Sequence, residues 1–214
     1  MLEKLKILVA DDHPIVRKGL ANLIKEHINE CVVLQSESHS ETIKVAYEQT
    51  PHLVLLDVAM PGGTAIDTIE QLKEFDFHIK VLIVTMHNDN HFALRMVKSG
   101  ADGFITKDSA PDELIKAIRK LLEGKRYFTP ELIELLTDYA QGKNMNDTLL
   151  NTLSNREFEI FVLLARGKTV SEIAQLLNLS VKTVSTHRSR ILSKTGLKNN
   201  SQIMRFALQN GLME

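Results

Sequence analysis

Five short apolar runs, separated by amphipathic stretches, dominate the first 124 residues of this 214-residue chain. The runs are continuously apolar rather than alternating, which is typical of strands covered on both faces of a sheet. They occupy residues 5–10, 31–35, 53–56, 81–85 and 103–106. Helical spacing of apolar residues marks the segments 15–26, 40–49, 65–75, 90–99 and 111–122. This alternation predicts an α/β domain with a doubly wound, five-stranded parallel sheet.

The rest of the chain has a different pattern, without a further strand-like run. A helical piece near residues 130–140 precedes the polar, breaker-rich segment 141–147, which indicates a connection between domains. Helical patterns then cover residues 155–166, 170–177, 181–194 and 201–209. We therefore expect an α/β domain over residues 1–124, a linker with a helical segment over 125–150, and an all-α, four-helix domain over 151–214.

The net charge of −1 conceals an asymmetry along the chain. From Leu150 onward nine lysines and arginines oppose four acids, a net charge of +5, whereas the remainder carries −6. A basic segment of this size suits nucleic acid. The lone cysteine, Cys31, lies among apolar residues and predicts a small buried side chain. No apolar run approaches the roughly 20 residues of a membrane span and no secretory signal is visible, so we expect a cytoplasmic protein.

Polar residues stand at the carboxyl ends of four of the five apolar runs. Asp11 and Asp12 follow the first run and Asp57 the third, while Thr85 ends the fourth and Lys107 follows the fifth. A doubly wound sheet has its ligand site at this edge, so we expect the five side chains to meet. Neighbouring carboxylates repel one another unless a divalent cation lies among them, and Mg²⁺ binds few carboxylates while accepting phosphate oxygens.

The types of these residues suit phosphoryl chemistry. A carboxylate with a free oxygen can attack phosphorus, as in enzymes that form an aspartyl phosphate. A lysine and a hydroxyl nearby can neutralise and hydrogen-bond the phosphoryl oxygens. Any one of these residues alone is an ordinary loop residue, whereas the five together predict a phosphate-handling site.

Over residues 5–122 the chain resembles the receiver domain of bacterial two-component response regulators. The matching pieces are Val-Ala-Asp-Asp-His at 9–13, Leu-Leu-Asp-Val-Ala-Met-Pro-Gly at 55–62, Val-Thr at 84–85, and Lys107. The resemblance implies that a partner histidine kinase phosphorylates Asp57. It also implies that Asp12 and Asp57 bind Mg²⁺ directly, with Asp11 acting through water and the Ala59 carbonyl completing the protein ligands.

The same resemblance assigns three further positions. Thr85 and Lys107 would bind the phosphoryl group. Phe104 matches the aromatic residue that turns inward on activation, and a simple core phenylalanine is the alternative. The chain departs from the family at Ala65, where glycine is frequent, and at Asp108, where proline is frequent. Neither change removes a group that handles phosphate.

Residues 180–194 carry the clearest pattern for DNA binding. Ser180 is a good N-cap, and at about 100° per residue Val184, Ile191 and Thr195 share one side of the helix. The other side lacks acids and consists of hydroxyls and cations: Lys182, Ser185, Thr186, Ser189, Arg190 and Ser193. Such a face is typical of a helix in the major groove, where hydroxyls approach base edges and cations meet phosphates. A generic helical bundle is the alternative.

Over residues 153–212 the chain resembles the LuxR-type DNA-binding domain of the NarL/FixJ class. Leu-Ser-Asn-Arg-Glu at 153–157, Ala-Arg-Gly-Lys at 165–168, Glu-Ile-Ala at 172–174 and Lys-Thr-Val at 182–184 carry the match. The resemblance implies a helix-turn-helix whose base-edge candidates are Lys182, Ser185, Thr186 and Ser189. Phosphate contacts would come from His187, Arg190 and Lys194, and Lys182 is a candidate for either role. In this class the last helix, at 201–209, contributes to dimerisation, and ordinary packing is the alternative.

Together these patterns and the two resemblances imply a phosphorylation-dependent transcriptional regulator that is not an enzyme. The expected partners are a sensor histidine kinase, double-stranded promoter DNA and a second copy of the chain, without a membrane. A phosphohydrolase of the haloacid dehalogenase type needs Asp-x-Asp at its nucleophile, but residues 57–59 read Asp-Val-Ala. A regulator that acts without phosphorylation, or through protein contacts, remains an alternative.

Overall fold

The computed structural model describes residues 4–86, 90–141, 150 and 152–209. The chain forms two compact units, and the main division between them falls between Ile133 and Glu134. The first unit contains a sheet with helices, and the second is helical in its described part.

The sheet of the first unit has five parallel strands. They are β1 (Leu5–Ala10), β2 (Cys31–Ser36), β3 (Leu53–Leu56), β4 (Lys80–Thr85) and β5 (Gly103–Thr106). Their order is β2-β1-β3-β4-β5, so β1 and β3 lie side by side at the centre. This arrangement confirms the predicted doubly wound, parallel sheet, and its strand order is that of the flavodoxin-like fold.

Four helices connect the strands, a fifth follows β5, and together they cover the sheet. They are α1 (Pro14–His27), α2 (His39–Gln49), α3 (Ala65–Phe75), α4 (Asn90–Lys98) and α5 (Pro111–Leu122). Alternate β1 side chains face opposite sides of the sheet. Ile7 and Val9 belong to one core cluster with Ile24 of α1 and Ile118 of α5. The helices α2 and α3 contact each other. Cys31 is half-buried and packs against the core cluster.

The loop between β3 and α3 turns tightly next to the N-terminus of α2. Gly62 has a φ of +85°, in the region that favours glycine, and a Cβ there would lie 2.8 Å from Ser40 Oγ. The side chain of Thr64 caps α3 by accepting a hydrogen bond from the Asp67 N–H, at 3.1 Å. The segment that follows Asp57 is therefore confined between α2 and α3.

Beyond α5 the chain returns to the edge of the sheet. Tyr127 forms an isolated parallel bridge with Gly103, and its carbonyl accepts a hydrogen bond from the Phe104 N–H at 2.9 Å. The helix α6 (Pro130–Ala140) follows. The apolar pattern of the sequence did not predict this bridge, because a single extended residue leaves no periodicity.

The second unit contains α7 (Asn155–Ala165), α8 (Val170–Leu176), α9 (Val181–Thr195) and α10 (Asn200–Gln209). Nine consecutive residues of α7 are buried, and this helix contacts α8, α9 and α10. Capping boxes start α7 and α8: Ser154 pairs with Glu157, and Thr169 pairs with Glu172. Within the described residues, no helix has the length and apolar character that crossing a membrane requires.

Candidate functional site

The five polar residues at the strand ends occupy one edge of the sheet. The strand ladder continues past β3 and β5, because the Asp57 N–H donates to the Ala10 carbonyl at 2.9 Å and the Lys107 N–H donates to the Thr85 carbonyl at 2.7 Å. The Asp11 N–H likewise donates to Ser36 at 3.1 Å. Backbone hydrogen bonds thus fix the positions of these residues before any side-chain contact is considered.

Lys107 joins two buried carboxylates. Its Nζ lies 2.7 Å from Asp57 Oδ2 and 2.6 Å from Asp11 Oδ2. The side chains of Asp57 and Asp11 are only 3% and 1% exposed. One cation faces two carboxylates, so the site keeps a negative charge that attracts a further cation.

Burial and pairing act in opposite directions on these groups. Burial raises the pKa of Asp57 above its usual value, although the hydrogen bond and charge of Lys107 oppose the increase. Burial acts to lower the pKa of Lys107, but its close contacts with the Asp11 and Asp57 carboxylates outweigh it and leave that pKa raised. Lys107 is therefore charged at neutral pH.

The oxygen-rich end of this cluster fits a hard divalent cation. Asp11, Asp12, His13 and Asp57 each offer a ligand atom within 4.8 Å of the others. Asp11 Oδ2 and Asp12 Oδ1 are buried, and neither accepts a well-directed hydrogen bond within the described part of the chain. These oxygens lie 2.6 Å from Lys107 Nζ and 2.7 Å from His13 Nδ1, respectively. Carboxylate oxygens are the ligands that Mg²⁺ prefers.

Three other predicted site residues lie beside this cluster. Thr85 and Phe104 are buried, 1% and 2% exposed, at neighbouring strands β4 and β5. The Ala59 N–H donates to Asp57 Oδ1 at 3.4 Å, so the start of the loop folds back over the carboxylate. The side chain of Phe104 lies inside the unit, where it fills part of the core.

The helix α9 divides into two faces along its length. Val184, Ile191 and Thr195 are its buried residues, as predicted. The predicted polar face is exposed, and it contains Lys182, Ser185, Thr186, Ser189, Arg190 and Ser193. Among the described residues Lys182 and Arg190 have no ion-pair partner. Thr186 Oγ1 donates to the Lys182 carbonyl at 2.9 Å and keeps its acceptor lone pairs available.

Lys194, near the end of α9, makes a contact with α7 that the sequence did not indicate. Lys194 Nζ lies 2.6 Å from Glu157 Oε2, an oxygen that also accepts the Ser154 N–H at 2.8 Å. The spacing of Ser154 and Glu157 is that of a capping box, but nothing in that spacing links Glu157 to α9. Arg188 donates through Nε to Asn200 Oδ1 at 2.7 Å, so it connects α9 to α10.

His187 is half-buried, whereas Thr186, which precedes it on α9, is exposed. Its Nδ1 is buried and has no hydrogen-bond partner within the described residues. Burial lowers the pKa of His187, with further lowering by Arg156 and Arg190 and an opposing effect of Glu157. The ring is therefore less readily protonated than a free histidine.

Two protein families match the chain, one in each unit. The family "Response regulator receiver domain" matches residues 7–119, and the family "Bacterial regulatory proteins, luxR family" matches residues 151–207. The first match includes every residue of the acidic cluster, and the second includes all of α7, α8 and α9.

Similar proteins match over almost the whole chain. Response regulator GacA of Pseudomonas aeruginosa is 32% identical over 210 residues, which cover 98% of both chains. Oxygen regulatory protein NreC of Staphylococcus epidermidis is also 32% identical, over 98% of this chain and 100% of its own. The structure of RcsB from Salmonella enterica serovar Typhimurium, bound to promoter rprA in the presence of phosphomimetic BeF3⁻, has 27% identity and a TM-score of 0.63. The match covers 95% of this chain and 98% of the RcsB chain.

Proposed function

The chain belongs to the response regulators that join a receiver domain to a LuxR-type DNA-binding domain, and we propose that phosphorylation of Asp57 switches its binding to promoter DNA. The observation that carries this proposal is the contact of Lys107 with both Asp57 and Asp11 at the edge of the sheet. We assign residues 1–124 to the receiver domain, 125–150 to a linker, and 151–214 to the DNA-binding domain.

In the proposed reaction, a carboxylate oxygen of Asp57 attacks the phosphorus of a phosphohistidine on a sensor kinase. The phosphorus–nitrogen bond breaks, its electron pair remains on the imidazole, and that ring takes a proton from solvent. Lys107 then contacts the phosphoryl oxygens with its ammonium, and the Thr85 hydroxyl donates to another. The raised pKa of Lys107, which its contacts with Asp11 and Asp57 cause, means that this ammonium is charged before the phosphoryl group arrives.

Asp11, Asp12, Asp57 and the Ala59 carbonyl would hold Mg²⁺, with Asp11 acting through water. Bound there, the ion would neutralise the carboxylates and the phosphoryl oxygens that approach them. The buried oxygens of Asp11 and Asp12 without a well-directed hydrogen bond support this assignment.

In this proposal the signal passes from Asp57 to β4, the strand next to β3, and then to β5. A phosphoryl group bound by Thr85 would move the end of β4, and Phe104 on the adjacent strand would change its packing in response. Thr85 pairs with Thr106, and Phe104 lies two residues before Thr106 on the same strand, which supports this role for the aromatic ring.

In the DNA-binding domain, α9 would enter the major groove. Its base-edge residues would be Lys182, Ser185, Thr186 and Ser189, with phosphate contacts from His187, Arg190 and Lys194. The acid-free exposed face of α9 supports this placement, as does the RcsB complex with a promoter. Lys194 would have to share its ammonium between phosphate and Glu157.

We further propose that two copies of the chain bind paired half-sites, that the protein acts in the cytoplasm, and that it turns over no substrate. A solved RcsB structure contains two dimers on two parallel DNAs, which supports dimeric binding by this family. The phosphoryl group then serves as a reversible mark rather than as a product.

Labelling of the full chain by acetyl phosphate with Mg²⁺ tests the site. Asp57→Ala is expected to abolish labelling, whereas Asp112→Ala, which removes an exposed acid at the start of α5, should leave it unchanged. Labelling of Asp57→Ala at the wild-type level would refute the assignment. Hydrolysis of many phosphate esters per chain would instead indicate an enzyme.

A further inference from the structure

The buried imidazole of His39 contacts the loop that follows Asp57. His39 is the first residue of α2 and is 2% exposed. Its Nε2 lies 3.3 Å from the Val58 carbonyl oxygen, and its Nδ1 lies 3.0 Å from Thr68 Oγ1 on α3. Its backbone N–H donates to the Pro61 carbonyl at 2.9 Å. One residue of α2 thus contacts this loop at two carbonyls.

The chemistry of the partners determines the direction of the Val58 contact. A carbonyl oxygen only accepts, so Nε2 carries the hydrogen and donates it to Val58. The Thr68 hydroxyl lies within reach of both Nδ1 and the Thr64 carbonyl, the latter at 2.9 Å, and its single hydrogen serves one of them at a time. The hydrogen bond to Val58 is independent of that choice.

The loop packs closely against His39. Gly63 has a φ of +151°, and a Cβ at that position would lie 3.2 Å from His39 Cβ. Between the two carbonyls contacted by His39 lies Ala59, whose N–H reaches Asp57 Oδ1 at 3.4 Å. The Val58 carbonyl and the Ala59 N–H belong to the same planar peptide group. A hydrogen bond that holds this carbonyl therefore also holds the N–H that reaches Asp57.

We propose that His39 is a positioning residue for the metal site: by holding the Val58 carbonyl, its Nε2–H orients the peptide plane that leads to Ala59 and so sets the Ala59 carbonyl and the Asp57 carboxylate for Mg²⁺. This inference rests on the proposed function of Asp57. Groups that orient metal ligands without touching the metal typically contribute on the order of tenfold to hundredfold in affinity.

Three variants separate this role from simple packing. The side-chain amide nitrogen of His39→Gln reaches about as far from the backbone as Nε2, so it can still donate to Val58. The shorter His39→Asn matches only Nδ1 and loses that hydrogen bond, while His39→Ala loses both contacts. Spectra of residues distant from the loop establish that each variant is folded.

Titration of the full-length protein with MgCl₂, followed by the NMR amide shifts of Asp57 and Ala59, gives the affinity without any phosphodonor. His39→Asn and His39→Ala are expected to weaken Mg²⁺ binding on the order of tenfold. His39→Gln should stay within about twofold of the wild type. The rate of labelling by acetyl phosphate should fall in the Asn and Ala variants at low Mg²⁺ and recover at saturating Mg²⁺.

Equal Mg²⁺ affinity in all four proteins would overturn the proposal. Equal weakening in the Gln and Asn variants would overturn it too, because the Nε2–Val58 hydrogen bond would then not be the cause. The two proposals fail separately. Absence of Asp57 labelling in the wild type contradicts phosphorylation, whereas the Mg²⁺ titration still reports on His39.

Discussion

Glu157 stabilises two helices of the DNA-binding unit at once. Its Oε2 accepts the Ser154 N–H at the start of α7 and the ammonium of Lys194 near the end of α9. The side chain of Glu157 is 4% exposed, whereas that of Lys194 is 41% exposed. Burial acts to raise the pKa of Glu157, but the bonds from Lys194 and Ser154 outweigh it, so that pKa lies below its usual value.

The lowered pKa gives a pH dependence with a definite sign. The carboxylate contributes stability fully above the ordinary value of 4.5, and this contribution is lost as the pH falls through the lower folded value. Glu157→Gln is expected to destabilise the unit by about 1–2 kcal/mol at pH 7, because Lys194 is partly exposed. The difference in the free energy of unfolding between Glu157→Gln and the wild type should become smaller below pH 4.5. Urea unfolding followed at the α9 amide signals measures both effects.

The control is Glu172→Gln, in the exposed capping box of α8, which lacks a partner on α9 among the described residues. Glu172→Gln should lower the free energy of unfolding much less than Glu157→Gln does. A Glu157→Gln effect that stays constant between pH 7 and pH 3 would show that the charge of Glu157 is not what stabilises the two helices.

Residues on the exposed face of α9 should differ in what they contribute to DNA binding. Ser189→Ala and Thr186→Ala remove hydroxyls that we propose approach base edges, so each should change the preferred sequence. Arg190→Ala removes a cation without an ion-pair partner and should weaken binding to all sequences alike, with a salt slope smaller by about 1. Lys194→Ala should weaken binding less than Arg190→Ala, because Glu157 already neutralises this ammonium.

Binding profiles over a randomised DNA library, measured at several salt concentrations, check these expectations. Unchanged base preferences in both hydroxyl variants would mean that a different face of α9 meets the bases. A larger loss for Lys194→Ala than for Arg190→Ala would mean that the ion pair with Glu157 opens on DNA.

At the level of elements, the start of α9 depends on one hydroxyl. Ser180 Oγ accepts the Thr183 N–H at 3.0 Å, and the first turn carries no acid. Ser180→Ala is expected to destabilise the unit by about 1 kcal/mol and to fray the turn that presents Lys182. Ser180→Asp should restore the cap, because aspartate also caps well. Amide hydrogen exchange of residues 181–184 measures the fraying, and equal protection in all three proteins would exclude it.

Element positions could be predicted from the sequence because each element has a strong local signal. The strands at 5–10, 53–56 and 103–106 begin and end where the apolar runs do. The helices α3, α5 and α6 also keep their predicted bounds. The remaining described helices and strands differ by one residue at one or both ends, because the end residues of an element belong to it only partly and apolar spacing does not mark them.

Contacts between distant elements could not be predicted in the same way. The carboxylates and Lys107 meet because sheet topology brings strand ends together, which the alternation of elements already implies. Nothing comparable relates Lys194 to Glu157 or His39 to Val58. Those pairs depend on how helices and loops are placed in space, and a lone histidine or lysine gives no periodic signal.

At the scale of the whole molecule, charge and number of copies determine how firmly DNA is held. The segment from Leu150 onward carries +5 and the rest of the chain −6. At physiological salt the Debye length is about 8 Å, so DNA responds to the few cations nearest to it. A single DNA-binding domain, which has few lysines and arginines available for phosphates, is expected to bind DNA with modest affinity. Two linked domains multiply that affinity, because the second binds at a high effective concentration.

Phosphorylation can then act by joining two copies or by freeing each DNA-binding domain, and paired half-sites distinguish these routes. If dimerisation is the main effect, beryllofluoride with Mg²⁺ should strengthen binding to two half-sites spaced by about 10 base pairs, with little gain on a single half-site. The salt slope on the paired site should also approach twice that on the single site, because twice as many phosphates are neutralised. Fluorescence anisotropy with both DNAs measures these quantities.

Removal of Mg²⁺ by EDTA, or Asp57→Ala, should cancel the gain in affinity. An equal gain in affinity on both DNAs would favour the release of each DNA-binding domain. A single half-site binds one copy, so dimerisation alone would not strengthen its binding.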